Sequence, residues 1–222
     1  MLTIGITTAP RERIYLNDTV QQLRYEFPTT DIYIFAEPGT PKTTEGTWIF
    51  NPVKLGQGYN LLNGLQFLKD KSSWVMMCED DISLCRDFGV ITTNFLDVVD
   101  HPWSKKFRDK VGFLSPYCSY VNANLGARGW SLAKRSMYGW CGMLCTIWPN
   151  EAIPTGTPVF KDKWGPDSCI ADHVLETGKH IYTHVPSLVT HTGEISTGQV
   201  RDTDMRRQAY DGFYHPPFHN VS

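Results

Sequence analysis

An α/β sandwich built on a mostly parallel central sheet is the fold class that this sequence predicts. Three observations lead there. Short β-runs alternate with helical patterns from residue 2 to residue 78. Polar and charged clusters fall directly behind several of those β-runs, where parallel sheets collect their ligands. Finally, 222 residues with 41% apolar and 20% charged content can bury one sizeable core but not two ordinary ones.

The elements follow in order. Leu2 to Thr7 reads as a buried strand closed by Ala9-Pro10. From Ile14 to Phe27, the residues Leu16, Val20, Leu23 and Phe27 recur at helical spacing. Asp31 to Ala36 is a second strand, ended by Glu37-Pro38-Gly39, and Trp48 to Phe50 a short third. Leu61, Leu62, Leu65 and Leu68 mark one face of a second helix. Trp74 to Cys78 is a fourth strand that runs straight into Glu79-Asp80-Asp81. Strand, helix, strand, strand, helix, strand is the alternation of a βα sandwich.

The second half is less regular. Gly126 to Trp130 reads as a loop, and Trp140 to Trp148 as a buried strand stopped by Pro149. Asp167 to Thr177 is a helix, with Asp167 as its N-cap and Gly178 at its end. Ile181 to Val185 is a strand before Pro186, and the polar tail after Gly198 is expected to dock loosely.

Composition excludes several classes. Lys plus Arg is 21 and Asp plus Glu 23, a net charge of -2, so a large basic face for duplex nucleic acid is not expected. No apolar run approaches the roughly 20 residues of a membrane-spanning helix, and MLTIGITTAPRER lacks the basic start and apolar stretch of a secretory signal. None of Cys78, Cys85, Cys118, Cys141, Cys145 and Cys169 forms a CxxC pair. Reduced, buried thiols are expected, and zinc is disfavoured. A soluble, cytoplasmic protein is the expectation.

Five segments carry chemistry. The acidic triplet Glu79-Asp80-Asp81 is self-repulsive, and oxygen ligands suit Mg²⁺ or Mn²⁺, which relieve that repulsion. Alternation sends Glu79 and Asp81 to one side and Asp80 to the other. Alternatively, the triplet is a solvated strand end. The loop Thr7-Thr8-Ala9-Pro10-Arg11 offers hydroxyls, backbone N–H groups and a guanidinium suited to phosphate. It carries neither GxGxxG nor GxxxxGK[ST], so neither a dinucleotide fold nor a P-loop is supported. Gly56-Gln57-Gly58-Tyr59-Asn60, before a helix, can present Gln57 or Asn60 to a base edge. Lastly, Asp167 and Asp172 lie on one predicted helix, and His191 sits in a Thr/Gly/Ser-rich loop where imidazole can complete a Mn²⁺ site begun by Asp81.

Together these pieces resemble a nucleotide-sugar-dependent glycosyltransferase of the GT-A fold. Ile4-Gly5-Ile6-Thr7-Thr8-Ala9-Pro10-Arg11-Glu12, followed by Tyr15-Leu16 and Thr19, resembles the start of the N-acetylglucosaminyltransferase IV family. Met77-Cys78-Glu79-Asp80-Asp81-Ile82 resembles its Glu-Asp-Asp version of the Asp-x-Asp motif, and Tyr138 to Met143 is similar to its acceptor-side glycine segment. That family's Pro-x-Asp is here contracted to Pro166-Asp167. Small viral and bacterial transferases show similar islands. The resemblance implies an inverting, metal-dependent transferase that moves a sugar from a nucleotide-sugar, UDP-sugar favoured, to an acceptor hydroxyl. It implies a metal on Asp81 and His191, and a donor held by Thr7, Thr8, Ala9, Arg11, Glu37, Gln57, Asn60, Glu79 and Asp80. Asp167 is the expected base, with Asp172 the alternative.

The catalytic domain is expected over 1–198, with a donor half to about residue 100 and an acceptor half from about 101, followed by an arm over 199–222. The acceptor stays open among a glycan, a protein and a modified nucleobase, with Arg128, Trp130, Trp140, Trp148 and Trp164 as an aromatic floor or as core. Two other functions share the fold: a nucleotidyltransferase making activated sugars, and a non-catalytic sugar- or protein-binding module.

Overall fold

The structure is a computed structural model that describes residues 1–11, 14–119, 122–124, 126–134, 140, 142–156 and 165–192. The chain opens with β1 (Leu2–Thr8), α1 (Leu16–Glu26), β2 (Ile32–Ala36) and β3 (Thr47–Phe50). After α2 (Gln57–Leu68) come β4 (Trp74–Glu79) and β5 (Ile82–Leu84), then α3 (Phe88–Asp100), the short α4 (Lys105–Arg108) and β6 (Val111–Ser115). It continues through β7 (Gly129–Leu132), β8 (Cys145–Pro149), α5 (Pro166–Glu176), β9 (His180–Val185) and β10 (Val189–His191).

The main sheet has 8 strands in the order β3-β2-β1-β4-β8-β6-β9-β7. β8 runs antiparallel to β4 and β6, and β7 antiparallel to β9, while the other pairings are parallel. Both faces are covered. On one, Ile4, Ile6, Trp74, Met76 and Cys78 pack with Leu16, Val20 and Leu23 of α1 and Phe88 and Leu96 of α3. On the other, Val75 and Met77 pack with Leu61, Leu65 and Leu68 of α2 and Ile170 and Val174 of α5. Alternate residues of β4 therefore feed opposite cores, which is why this strand reads as one unbroken apolar run. Gly64 lets α2 lie close to the sheet: a Cβ there would crowd the Phe35 ring at 3.0 Å as well as Met77 Cε. The architecture is the predicted α/β/α sandwich.

The first half matches the expected elements to within a few residues, and four readings of the second half are corrected. The strand expected over Trp140 to Trp148 begins only at Cys145, because Gly142 takes a left-handed φ of 84° that no extended strand tolerates. Asp167 is not the N-cap. Gly165 is, and Pro166 occupies the first helical turn, as its fixed φ favours. The predicted loop over Gly126 to Trp130 instead enters β7 at Gly129. The loop around His191 contains β10. Trp148 is fully buried and Trp140 nearly so, so both belong to the core. Trp164, Cys141 and the arm over 199–222 lie outside the described residues.

Cys78, Cys85, Cys118 and Cys145 are buried thiols outside any disulfide, and Cys169 is partly buried. Among the described residues, no helix is long and apolar enough to cross a membrane.

Candidate functional site

The site forms where β1 and β4 end side by side, with Thr7 of β1 in register with Glu79 of β4. After Glu79 the chain turns through Asp80 and Asp81 into β5. β5 pairs with β10 antiparallel, His191 opposite Ile82, and the Thr192 N–H donates to the Asp81 carbonyl at 2.8 Å. This two-stranded ribbon joins residues far apart in sequence. His191 Nε2 lies 3.0 Å from Asp81 Oδ2.

Two buried polar side chains of α1 hold the acidic turn. The Thr19 hydroxyl donates to the Asp80 carbonyl at 2.8 Å, and Gln22 Oε1 accepts the Leu84 N–H at 2.8 Å. Both are almost fully buried. Their sequence signal is position: Thr19 stands three residues after Leu16 and four before Leu23, on the apolar face of α1, with Gln22 at its edge, where a polar side chain must find a buried partner.

The carboxylates divide as strand alternation predicts. The Glu79, Asp81 and His191 side chains converge, with one ligand atom from each within 4.8 Å of the others. Asp80 turns to the other side, where the Thr8 hydroxyl donates to its Oδ2. Arg11 spans the division: its Nη1 is 2.6 Å from Asp81 Oδ2 and its Nη2 2.9 Å from Asp80 Oδ1. Gln57, in the first turn of α2, donates to Glu79 Oε1 at 2.6 Å.

The other predicted residues are placed as follows. Thr7 donates to the Cys78 carbonyl at 3.3 Å, and Ala9 follows β1 directly. Glu37 is 3% exposed, and its carboxylate accepts the Leu55 N–H at 2.9 Å and the Gly56 N–H at 2.8 Å, fixing the approach to α2. Asn60 is buried, donates to the Phe35 carbonyl at 3.0 Å and accepts from Asn51 at 2.8 Å. Its amide is thus occupied within the protein. Asp167 Oδ2 accepts the Gly142 and Met143 N–H groups at 3.0 and 3.1 Å. Its charge acts on Glu79, so it belongs to the same electrostatic neighbourhood. Asp172 instead lines a separate cavity of about 280 Å³ with Leu132, Trp140, Leu175 and Lys179.

Burial and mutual repulsion set the protonation of the site. Burial, then the Asp81 and Asp167 charges, push the Glu79 carboxyl up to about 8. Burial raises Asp80 to about 6, although Arg11 and Thr8 oppose it. Burial also acts to raise Asp81, yet His191 and Arg11 outweigh it and hold that carboxyl below its ordinary value. Burial raises Asp167 against the backbone N–H groups of Gly142, Met143 and Asp167 itself, which favour its ionised form.

A pH dependence of stability follows. Glu79 and Asp80 bind protons more tightly folded than unfolded, so their contribution is complete below about 4. It is lost as pH rises through about 6 for Asp80 and about 8 for Glu79. The metal-free protein is therefore expected to melt at progressively lower temperature across that window in EDTA. Saturating Mn²⁺ should flatten the slope, since cations take the ionised carboxylates. Calorimetry showing constant or rising stability between pH 6 and 8 would contradict this.

The donor set fits a hard divalent cation. Two carboxylates and an imidazole are the ligands Mn²⁺ accepts. Asp81 Oδ1 is buried with no hydrogen-bond partner among the described residues, a costly state that a bound cation would relieve.

Gly142 has its own steric requirement. A Cβ there would drive into the Tyr117 ring, at a φ of 84° that disfavours any side chain. Gly142→Ala is expected to cost about 2 kcal/mol or more, lowering the melting temperature by roughly 4–8 °C. It should also disturb the amides that seat Asp167. An unchanged melting curve would refute the steric argument.

No family model and no curated protein sequence matches the chain. Solved structures do. HddC from Yersinia pseudotuberculosis, crystallised with GMP-PN, is 10% identical with a TM-score of 0.51, over 86% of this chain and 94% of its own. The fold is GT-A-like. A Drosophila β-1,4-galactosyltransferase 7 mutant, in complex with manganese, UDP-Gal and xylobiose, is 13% identical with a TM-score of 0.47. That match covers 95% of this chain and 82% of the other. A mannose-1-phosphate geranyltransferase from Thermus thermophilus is 11% identical with a TM-score of 0.48, over 82% and 73%. At such identities the likeness is one of fold, and the chemistry of this GT-A-like chain must be argued from its own residues.

Proposed function

We propose that the protein is a metal-dependent, inverting glycosyltransferase that moves a sugar from a nucleotide-sugar, UDP-sugar favoured, to an acceptor hydroxyl. One observation carries the reading: Glu79, Asp81 and His191 converge at the carboxyl end of a central strand, and Asp81 brings a second, buried and unpartnered carboxylate oxygen there. In open α/β sheets this is where ligands bind.

In this reading Asp81 and His191, with support from Glu79, hold Mn²⁺ or Mg²⁺. Bound there, the ion neutralises the donor diphosphate as a Lewis acid. Thr7, Thr8 and Ala9 shape the nucleotide-facing end of β1. Glu37 and Asn60 act indirectly, by fixing the loop before α2 and the strand β2 beside it. Gln57 orients the Glu79 carboxylate. Backbone N–H groups fix the Asp167 carboxylate, Gly142 and Met143 donating to Oδ2, and in this reading that carboxylate takes the acceptor proton. The same hydrogen bonds favour the ionised form that a base needs. The acceptor, be it a glycan, a protein or a modified nucleobase, would approach from the α5 side.

The test is Mn²⁺-dependent release of UDP from a panel of UDP-sugars, with and without acceptors, and the anomer of the product read by NMR. Pyrophosphate released from a nucleoside triphosphate plus a sugar phosphate would decide instead for a nucleotidyltransferase. Donor binding with neither reaction would leave a binding module.

A further inference from the structure

Arg11 already pairs with one residue of the candidate metal site. Its Nη1 approaches Asp81 Oδ2 at 2.6 Å, the same oxygen that lies 3.0 Å from His191 Nε2. Its Nη2 reaches Asp80 at 2.9 Å. The guanidinium thus neutralises part of an acidic cluster that would otherwise repel itself, and it does so on one of the three residues of the candidate metal site. Arg11 is not locked in the core, because its side chain is 33% exposed while those of Asp80 and Asp81 are 3% exposed. The flexible partner is the arginine, and the fixed ones are the acids.

We infer that Arg11 is the resident counter-ion of the metal site, exchanging Asp81 for the donor's diphosphate when a divalent cation enters. The inference rests on the metal reading above. A cation on one oxygen of the Asp81 carboxylate and the Arg11 guanidinium on the other draw on the same negative charge and repel each other, so cation entry weakens the Arg11–Asp81 pair. A guanidinium carries five N–H donors in a fork that matches phosphate oxygens. Once released from Asp81, its Nη1 is left to take a phosphate oxygen while its Nη2 keeps Asp80. Metal and nucleotide diphosphate then bind with positive coupling, and by reciprocity each raises the other's affinity by the same factor. Arg11 remains tethered through Asp80, so the movement needed is a rotation of the side chain about that contact.

The experiment is titration of the full chain with Mn²⁺, followed by electron paramagnetic resonance, for the wild type and Arg11→Gln. Each is measured alone, with uridine and with UDP. Removing the competitor is expected to tighten Mn²⁺ alone by about tenfold, and the enhancement by UDP should shrink by a similar factor, within the usual range of site couplings. Equal Mn²⁺ affinity in the two proteins, with equal enhancement by UDP, overturns the exchange and leaves the metal site standing. If neither protein binds Mn²⁺ even with UDP, the metal reading and this inference fall together. A measurement on the wild type guards against a poorly folded variant. The guanidinium resonances of ¹⁵N-arginine-labelled protein, held distinct by the ion pairs, should shift and broaden on adding Mg²⁺ and sharpen again with UDP. Resonances indifferent to saturating Mg²⁺ would also overturn the exchange.

Discussion

Asp81→Asn is expected to abolish Mn²⁺ binding and to lower sugar transfer by about 10³-fold or more. A Lewis-acid cation supplies several kcal/mol of transition-state stabilisation, and about 4 kcal/mol corresponds to that factor. The substitution keeps the shape of the side chain and removes its charge. It should leave the fold intact, because Asp81 has two opposing effects on its neighbours. It pairs with Arg11 and His191, yet its charge also helps raise Glu79 and Asp80. Loss of the pair is offset in part by loss of that repulsion. Asp80→Asn is the control. Asp80 faces Thr8 and Arg11 and stands outside the converging ligand set, so Mn²⁺ binding should survive it. Calorimetric titration of both variants decides the matter. If Asp80→Asn loses the metal and Asp81→Asn keeps it, the ligand assignment is inverted.

How much of this was legible in the sequence depends on the range of the interaction. Strand β4 and the acidic turn after it are local features: an apolar run, then three carboxylates, with alternation dictating which one turns away. That division needs only the pleat of a strand. The pairing of His191 with Asp81 follows from ligand chemistry, but its structural cause is not readable in the sequence. It depends on β5 and β10, each of 3 residues, too short to carry a periodic signal. The segment Phe88–Asp100 does carry helical spacing, in Phe88, Ile91, Phe95, Leu96 and Val99, although its valines, isoleucine and threonines favour strands. Packing of Phe88, Leu96 and Val99 against the sheet overrides that preference.

Glu37 and Asn60 make the complementary point. A carboxylate behind a strand and an amide early in a helix look like ligand contacts, since that is where ligands bind. Here backbone groups at the end of β2 and ahead of α2 claim them first. Turns that shape a site carry unsatisfied N–H and C=O groups of their own, and buried polar side chains answer those before any substrate. Gln57 and Arg11, both less buried, remain the side chains able to change partner.

Asp167→Asn is expected to lower the transfer rate by about 10²–10⁴-fold, the range typical of a lost general base. Mn²⁺ and UDP affinities should stay near the wild type. The isosteric amide can keep the geometry, because its carbonyl oxygen can still accept the Gly142 and Met143 N–H groups that now converge on Oδ2. What disappears is the capacity to accept a proton. Since burial raises the Asp167 carboxyl, the wild-type rate should climb with pH as that group ionises, and the variant should lose this limb. Asp172→Asn supplies the contrast: Asp172 faces a cavity away from the acidic turn, so its variant should transfer sugar at close to the wild-type rate. A single-turnover comparison separates the two acids on one helix. Were Asp172→Asn inactive and Asp167→Asn unimpaired, the acceptor would have to enter from the other flank of α5, and the base would be reassigned with it.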